Sequence, residues 1–165
     1  MKAFHNDPAI KAKYLARVEN HIKLDNLVRG ETGDGGKGCA VWCTLDAYDH
    51  ARYPIELGIP EWLARVEDKI FEEMSEQKSR TWPRDFLDAI APGADLEKAK
   101  APFLIMVLES AITTFDHDKF SLVKSAIENS IALWRRHDIG TDDWAAAAVR
   151  EAEAAPAFRS LVEPD

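Results

Sequence analysis

Cys39, Cys43, Asp46 and His50 stand at spacings of 4, 3 and 4 residues. If residues 38–52 are helical, at about 100° per residue, the four side chains fall in one narrow stripe. Two thiols, a carboxylate and an imidazole are the groups that ligate transition metals, or that pair a nucleophile with a base. The stripe rises roughly 16 Å, too far for one ion to touch all four. Neighbours one turn apart, about 6 Å, can share an ion. One ion could take Cys39 with Cys43, or Cys43 with Asp46 and His50, completed by a ligand from another helix. Cys39 also sits at the expected start of its helix, beside Lys37, where free N–H groups and a cation would lower a thiol pKa. That arrangement predicts either a metal site or a redox-responsive thiol, with Cys43 as the resolving partner.

The preceding helix offers a second pair. His21 and Asp25 fall on the apolar stripe of Ile10, Tyr14, Val18 and Val28. Polar groups on a buried face need partners, so Asp25 is read as the carboxylate that orients His21. A short connector would bring His21 toward Cys39 and Cys43. Asp25 and Lys37 are thus supporting residues, and His21, Cys39, Cys43, Asp46 and His50 the candidate ligands. Two thiolates with imidazole suit zinc, or a softer ion such as copper(I). The plainer alternative is that cysteines, commonly buried as small hydrophobes, here simply fill a core.

The elements that must position these groups read as helices. Asp7-Pro8 is an N-cap followed by proline in the first turn, and apolar spacing continues toward Gly30. Residues 30–38, GETGDGGKG, form a glycine-rich loop. Its Gly36-Lys37 fails the phosphate-loop pattern, with Glu31 at the first glycine position and Gly38 where a hydroxyl belongs. Gly33, Gly35 and Gly38 fit G-x-G-x-x-G, but no strand precedes them. Further helices are expected after Pro60, Thr81, Asp95 and Phe120, and from Thr141 through an alanine-rich stretch closed by Pro156. The run Phe103–Leu108 is apolar on every side, which predicts the buried centre of a bundle. Asp116-His117-Asp118 reads as a helix start, His137 as a favourable helix-end charge, and the tryptophans as core anchors. No segment alternates with period two. The expected fold is all-α, one domain over 1–165 with six or seven helices, and a tail frayed over 154–165.

Composition narrows the function classes. The 165 residues carry 21 basic and 29 acidic side chains, a net charge of −8, which argues against a general nucleic-acid binder. The longest apolar run, six residues, is far short of the ~20 that cross a bilayer, so no membrane span is expected. No apolar leader is present and two cysteines make no disulfide scaffold, so a cytoplasmic location is expected. A contrasting function is an acidic protein–protein interaction or inhibitor module without catalytic chemistry, with Glu72, Glu73 and Glu76 as its acidic patch. No reaction, partner or oligomeric state follows from the residues.

The stretch GKGCAVWCTLDAYDHARYPIELGIPEWLARVEDKIFE, residues 36–72, resembles an uncharacterised bacterial protein family with a segment GxGCAVGCTLHxYDHxxYxxELGIPxxLARLEDxIFE. A weaker likeness extends to the helix with His21. In that family the position of Asp46 is commonly His and that of Trp42 commonly Gly. The resemblance implies that one candidate ligand has been exchanged for another, and it implies no activity.

Overall fold

A computed structural model describes residues 1–33, 35–114 and 121–136, with Ala145 and Val149. Among these, all regular structure is helical: a 3₁₀ turn at Ala3–Asn6, then α1 (Pro8–Lys23), α2 (Ala40–Leu45), α3 (Arg52–Leu57), α4 (Glu61–Glu73), α5 (Glu76–Ser79), α6 (Trp82–Ala89), α7 (Glu97–Ile112) and α8 (Ser121–Arg135). The all-α expectation holds, with eight α-helices among the described residues. None of these helices is long and apolar enough to cross a membrane. Asp116-His117-Asp118, His137, Trp144 and the 154–165 tail lie outside the described residues.

The chain divides into two compact units, Met1–Glu97 and Lys98–Asp165. The first holds the core and every candidate ligand. Its α1 packs on α2 and α6, while α2 and α3 both pack on α4. Tyr14 and Val18 from α1, Val41 from α2, Tyr53 and Leu57 from α3, Phe71 from α4 and Leu87 from α6 are fully or almost fully buried. In the second unit, Ile131 and Leu133 of α8 are buried, and Arg135 pairs with Glu109.

Three expectations about the elements need correction. The first helix starts as read, with Asp7 accepting from Ala9 N–H at 2.8 Å, but it ends at Lys23 rather than near Gly30. Asp25 takes a left-handed φ of 54°, and Leu27 then forms an isolated bridge with Gly38. Val28 N–H donates to Gly38 O and Gly38 N–H to Asn26 O, both at 2.9 Å. This isolated parallel bridge anchors the start of α2 beside the end of α1.

The continuous helix over 38–52 is two short ones. Asp46 adopts φ 54°, ψ 29°, ending α2, and α3 begins only at Arg52. Left-handed backbone in a non-glycine residue is tolerated best by Asn and Asp, so the sequence carries no glycine to announce this stop.

The run 103–108 is not the core. No residue described on α7 is buried, and Met106 is 57% exposed. An apolar face states what burial would gain, not which neighbours reach it. The amphipathic helices of the first unit close their core upon one another.

Candidate functional site

Because α2 stops at Asp46, its polar stripe divides into two clusters. The first forms at the start of α2. Cys39 is its N-cap residue and only 1% exposed, with its N–H donating to Glu31 O at 2.8 Å. On α4, Asp68 and Glu72 lie one turn apart, so their carboxylates share a face. The Cys39 Sγ and one oxygen from each carboxylate all fall within 4.8 Å of one another.

The loop between α2 and α3 supplies the rest. His50 Nε2 lies 3.0 Å from Asp68 Oδ2, and the Tyr48 hydroxyl donates to the same oxygen at 3.0 Å. The Tyr48 and His50 rings meet edge-on with centroids 5.1 Å apart. Glu72 Oε2 accepts the Gly30 N–H at 2.7 Å, which ties the glycine loop to α4. Asp68 is 8% exposed, and its Oδ1 is buried without a hydrogen-bond partner among the described residues. A buried acceptor without a partner costs free energy, on the order of 1–3 kcal/mol.

Burial, joined by the charge of Asp68, pushes the Cys39 thiol up to about 12. The amides of Trp42 and Val41 oppose the rise without overcoming it. Thus the expected low-pKa thiolate at the start of α2 is corrected: desolvation and a carboxylate outweigh the helix-end amides. Lys37, expected to assist Cys39, is exposed and lines a separate cleft.

The second cluster gathers the remaining residues. His21 Nε2 lies 3.0 Å from Asp46 Oδ1, and Arg17 Nε lies 3.2 Å from Asp46 Oδ2. Arg17 also donates to Thr44 O at 3.0 Å, capping the end of α2. Asn26, not Asp25, faces the other ring nitrogen of His21, at 3.3 Å. Asp25 is exposed, because α1 ends before reaching it. The Cys43 thiol points to backbone oxygens, Gly38 O at 3.6 Å and Asn26 O at 3.8 Å. Burial first, then Asp46, raises it to about 12. Both cysteines are free thiols.

His21 therefore does approach the stripe, but it meets Asp46. Cys39 and His50 turn instead toward α4. The reading from sequence missed Asp68, Glu72 and Tyr48. The available signal was the i, i+4 carboxylate pair in LARVEDKIFE, which looks like a solvated helix face until α2 is laid against it. The acidic patch also separates: Glu72 belongs to this cluster, while Glu73 pairs with Lys69 at 2.7 Å and Glu76 with Arg80 at 2.8 Å.

Behind the cluster lies a second buried carboxylate. Glu67 is fully buried and accepts from the Tyr53 hydroxyl at 2.6 Å, and its Oε1 is unpartnered among the described residues. Burial dominates its titration; the Tyr53 bond lowers it, Asp68 raises it, and it settles at about 8. The glycine loop has a packing role as well. A Cβ at Gly33 would stand 1.8 Å from Trp42 Cδ1, and one at Gly38 would stand 2.8 Å from Trp42 Cβ. Two of the three glycines in the dinucleotide-like pattern thus accommodate an indole.

No known protein family, curated protein or solved structure matches the chain.

Proposed function

We propose that Cys39, Asp68 and Glu72, with His50, form a binding site for a divalent transition-metal ion, zinc before others. One observation carries this reading: a thiol and two carboxylates from α2 and α4 converge within 4.8 Å, beside a buried Asp68 oxygen that has no partner among the described residues. His50 stands 3.0 Å from Asp68 and can either join as a fourth ligand or orient the carboxylate. A thiolate, two carboxylates and an imidazole match the mixed S, N and O donors that zinc accepts. Copper(I) prefers softer sets, and Cys43, turned to Gly38 O and Asn26 O, is not among the converging donors.

The raised thiol pKa accords with a metal role more than with a redox one. A neutral, desolvated thiol is a poor nucleophile, whereas a dication reverses the very effects, burial and a neighbouring carboxylate, that keep the proton on. Metal uptake would then release a proton. Free, buried thiols accord with a reducing compartment such as the cytoplasm. The likeness of residues 36–72 to an uncharacterised bacterial family is part of this proposal, since that segment holds all four residues.

Equilibrium dialysis of untagged protein against zinc, with elemental analysis, tests it. The expected result is one zinc per chain, and a thiolate-to-metal charge-transfer band after cobalt(II) substitution. Both should vanish in Cys39→Ser and weaken in Asp68→Asn. Metal-free protein after dialysis, or binding that survives Cys39→Ser, would end the proposal.

A further inference from the structure

Three cations of the first unit gather away from the Cys39 cluster. Arg29, Lys37 and Arg80 line one cleft of about 480 Å³ beside the glycine loop. Its apolar wall is made by Ile22, Leu27 and Val28, and its remaining charges are Asp25 and Glu76. Arg80 is paired with Glu76 at 2.8 Å. Arg29 donates to a carbonyl, Met74 O at 2.6 Å, which leaves its charge without a carboxylate in direct contact among the described residues. The Lys37 ammonium makes no ion pair or hydrogen bond among the described residues. Among the described residues, three cations and two carboxylates line the cleft, in a chain whose net charge is −8.

Glu76 faces both Arg80 and Arg29 and Asp25 faces Arg80, so the unmatched charge of the cleft sits at Lys37, the cation an incoming anion would meet. The bridge between Leu27 and Gly38, and the Gly30–Glu72 bond, hold the segments that carry Arg29 and Lys37. The backbone of both cations is therefore fixed, and the Arg29 side chain is held by Met74 O before any ligand arrives, which lowers the ordering cost of binding there. A second hollow, about 400 Å³, adjoins at Val28 and Lys37; Glu31 also lines it, so it gives room for the body of a ligand but not for an anionic head.

From this geometry we infer that the cleft binds a small organic anion, a phosphate or carboxylate head on an apolar body. The head meets Lys37 and Arg29, and the body lies on Ile22, Leu27 and Val28. A guanidinium beside an ammonium favours an oxyanion with several acceptor oxygens. The apolar wall separates this class from bare inorganic anions. The inference is separate from the metal reading in the side chains that would meet the ligand, although Glu72 also holds the loop that carries Arg29.

Titration calorimetry with phenyl phosphate, benzoate and inorganic phosphate tests it. Phenyl phosphate or benzoate should saturate at one per chain, more tightly than inorganic phosphate, and the better of the two identifies the head group. Lys37→Ala should weaken that binding by about tenfold, the usual loss of one charge-assisted contact. Lys78→Ala, exposed on α5 and outside the cleft lining, should leave it unchanged. Thermal melts matched to wild type establish that the variants fold. Lys37→Ala should also keep the zinc uptake of wild type, so failure here and failure of the metal reading are separable. If none of the three probes saturates, if Lys37→Ala binds as wild type does, or if inorganic phosphate binds as tightly as phenyl phosphate, the inference is wrong.

Discussion

His50 Nε2 lies 3.0 Å from Asp68 Oδ2, across 18 residues of chain, and so joins the loop after α2 to the middle of α4. Both side chains are nearly buried, at 11% and 12% exposure. The contact draws the loop toward the carboxylate that also faces Cys39.

The two cysteines should separate cleanly on mutation. Cys39→Ser removes a proposed ligand, whereas Cys43→Ser alters a thiol that donates to the backbone oxygens of Gly38 and Asn26. Each substitution should destabilise by about 1–3 kcal/mol, because each places a hydroxyl at a buried site. Only Cys39→Ser should abolish zinc uptake, read by elemental analysis beside a urea titration of each variant.

Thiol chemistry gives the second expectation. With both thiols raised to about 12, the thiolate fraction at pH 8 is about 10⁻⁴. Native, metal-free protein should be almost inert to a disulfide reagent at that pH, and two thiols should react at once on unfolding. A single fast thiol in the native state would restore the redox reading.

How much of this was legible can be judged residue by residue. Asp7-Pro8 announces the start of α1 because capping is a local interaction, complete within three residues. The end of α1 is not local: it rests on a left-handed Asp25 and on a bridge to Gly38, eleven residues from Leu27. Cys39 and His50 were readable as chemistry-bearing residues, but their partner was not. Asp68 shares its helix with the exposed, ion-paired Glu73, and only packing against α2 tells the two apart. His21 was correctly drawn toward the stripe. Its contact with Asp46 instead of a cysteine follows from the early end of α2.

Stability should depend on pH through Glu67. Burial holds its carboxyl up at about 8, against about 4.3 in an unfolded chain. Between those values the folded state keeps a proton that the unfolded state has released. The contribution is therefore full below pH ~4.3 and is lost as pH rises toward 8, a change on the order of several kcal/mol. Glu67→Gln still accepts from Tyr53 but cannot ionise, so its unfolding free energy should be flatter across that window. Urea titrations of metal-free protein at pH 5 and pH 8 check this. A wild-type protein equally stable at both would contradict it.

Asp46 supplies the sharpest test of where α2 ends. Its φ of 54° strains any residue with a Cβ other than Asn or Asp, while its carboxylate faces His21 and Arg17. Asp46→Asn keeps the tolerance for that backbone and an acceptor oxygen, so it should stay near wild type. Asp46→Gly loses both side-chain contacts but relaxes the backbone. Asp46→Ala loses the contacts and retains the strain, so it should be the least stable, by about 1 kcal/mol relative to glycine. The half-exposed Arg17 contact adds little to these differences, since solvent screens it. All three variants should bind zinc as wild type does, because Asp46 stands outside the Cys39 cluster. Urea midpoints rank the series. If alanine equals or exceeds glycine, the left-handed stop is not what ends the helix. A continuous helix over 38–52 would then return Asp46 and His50 to one stripe with both cysteines.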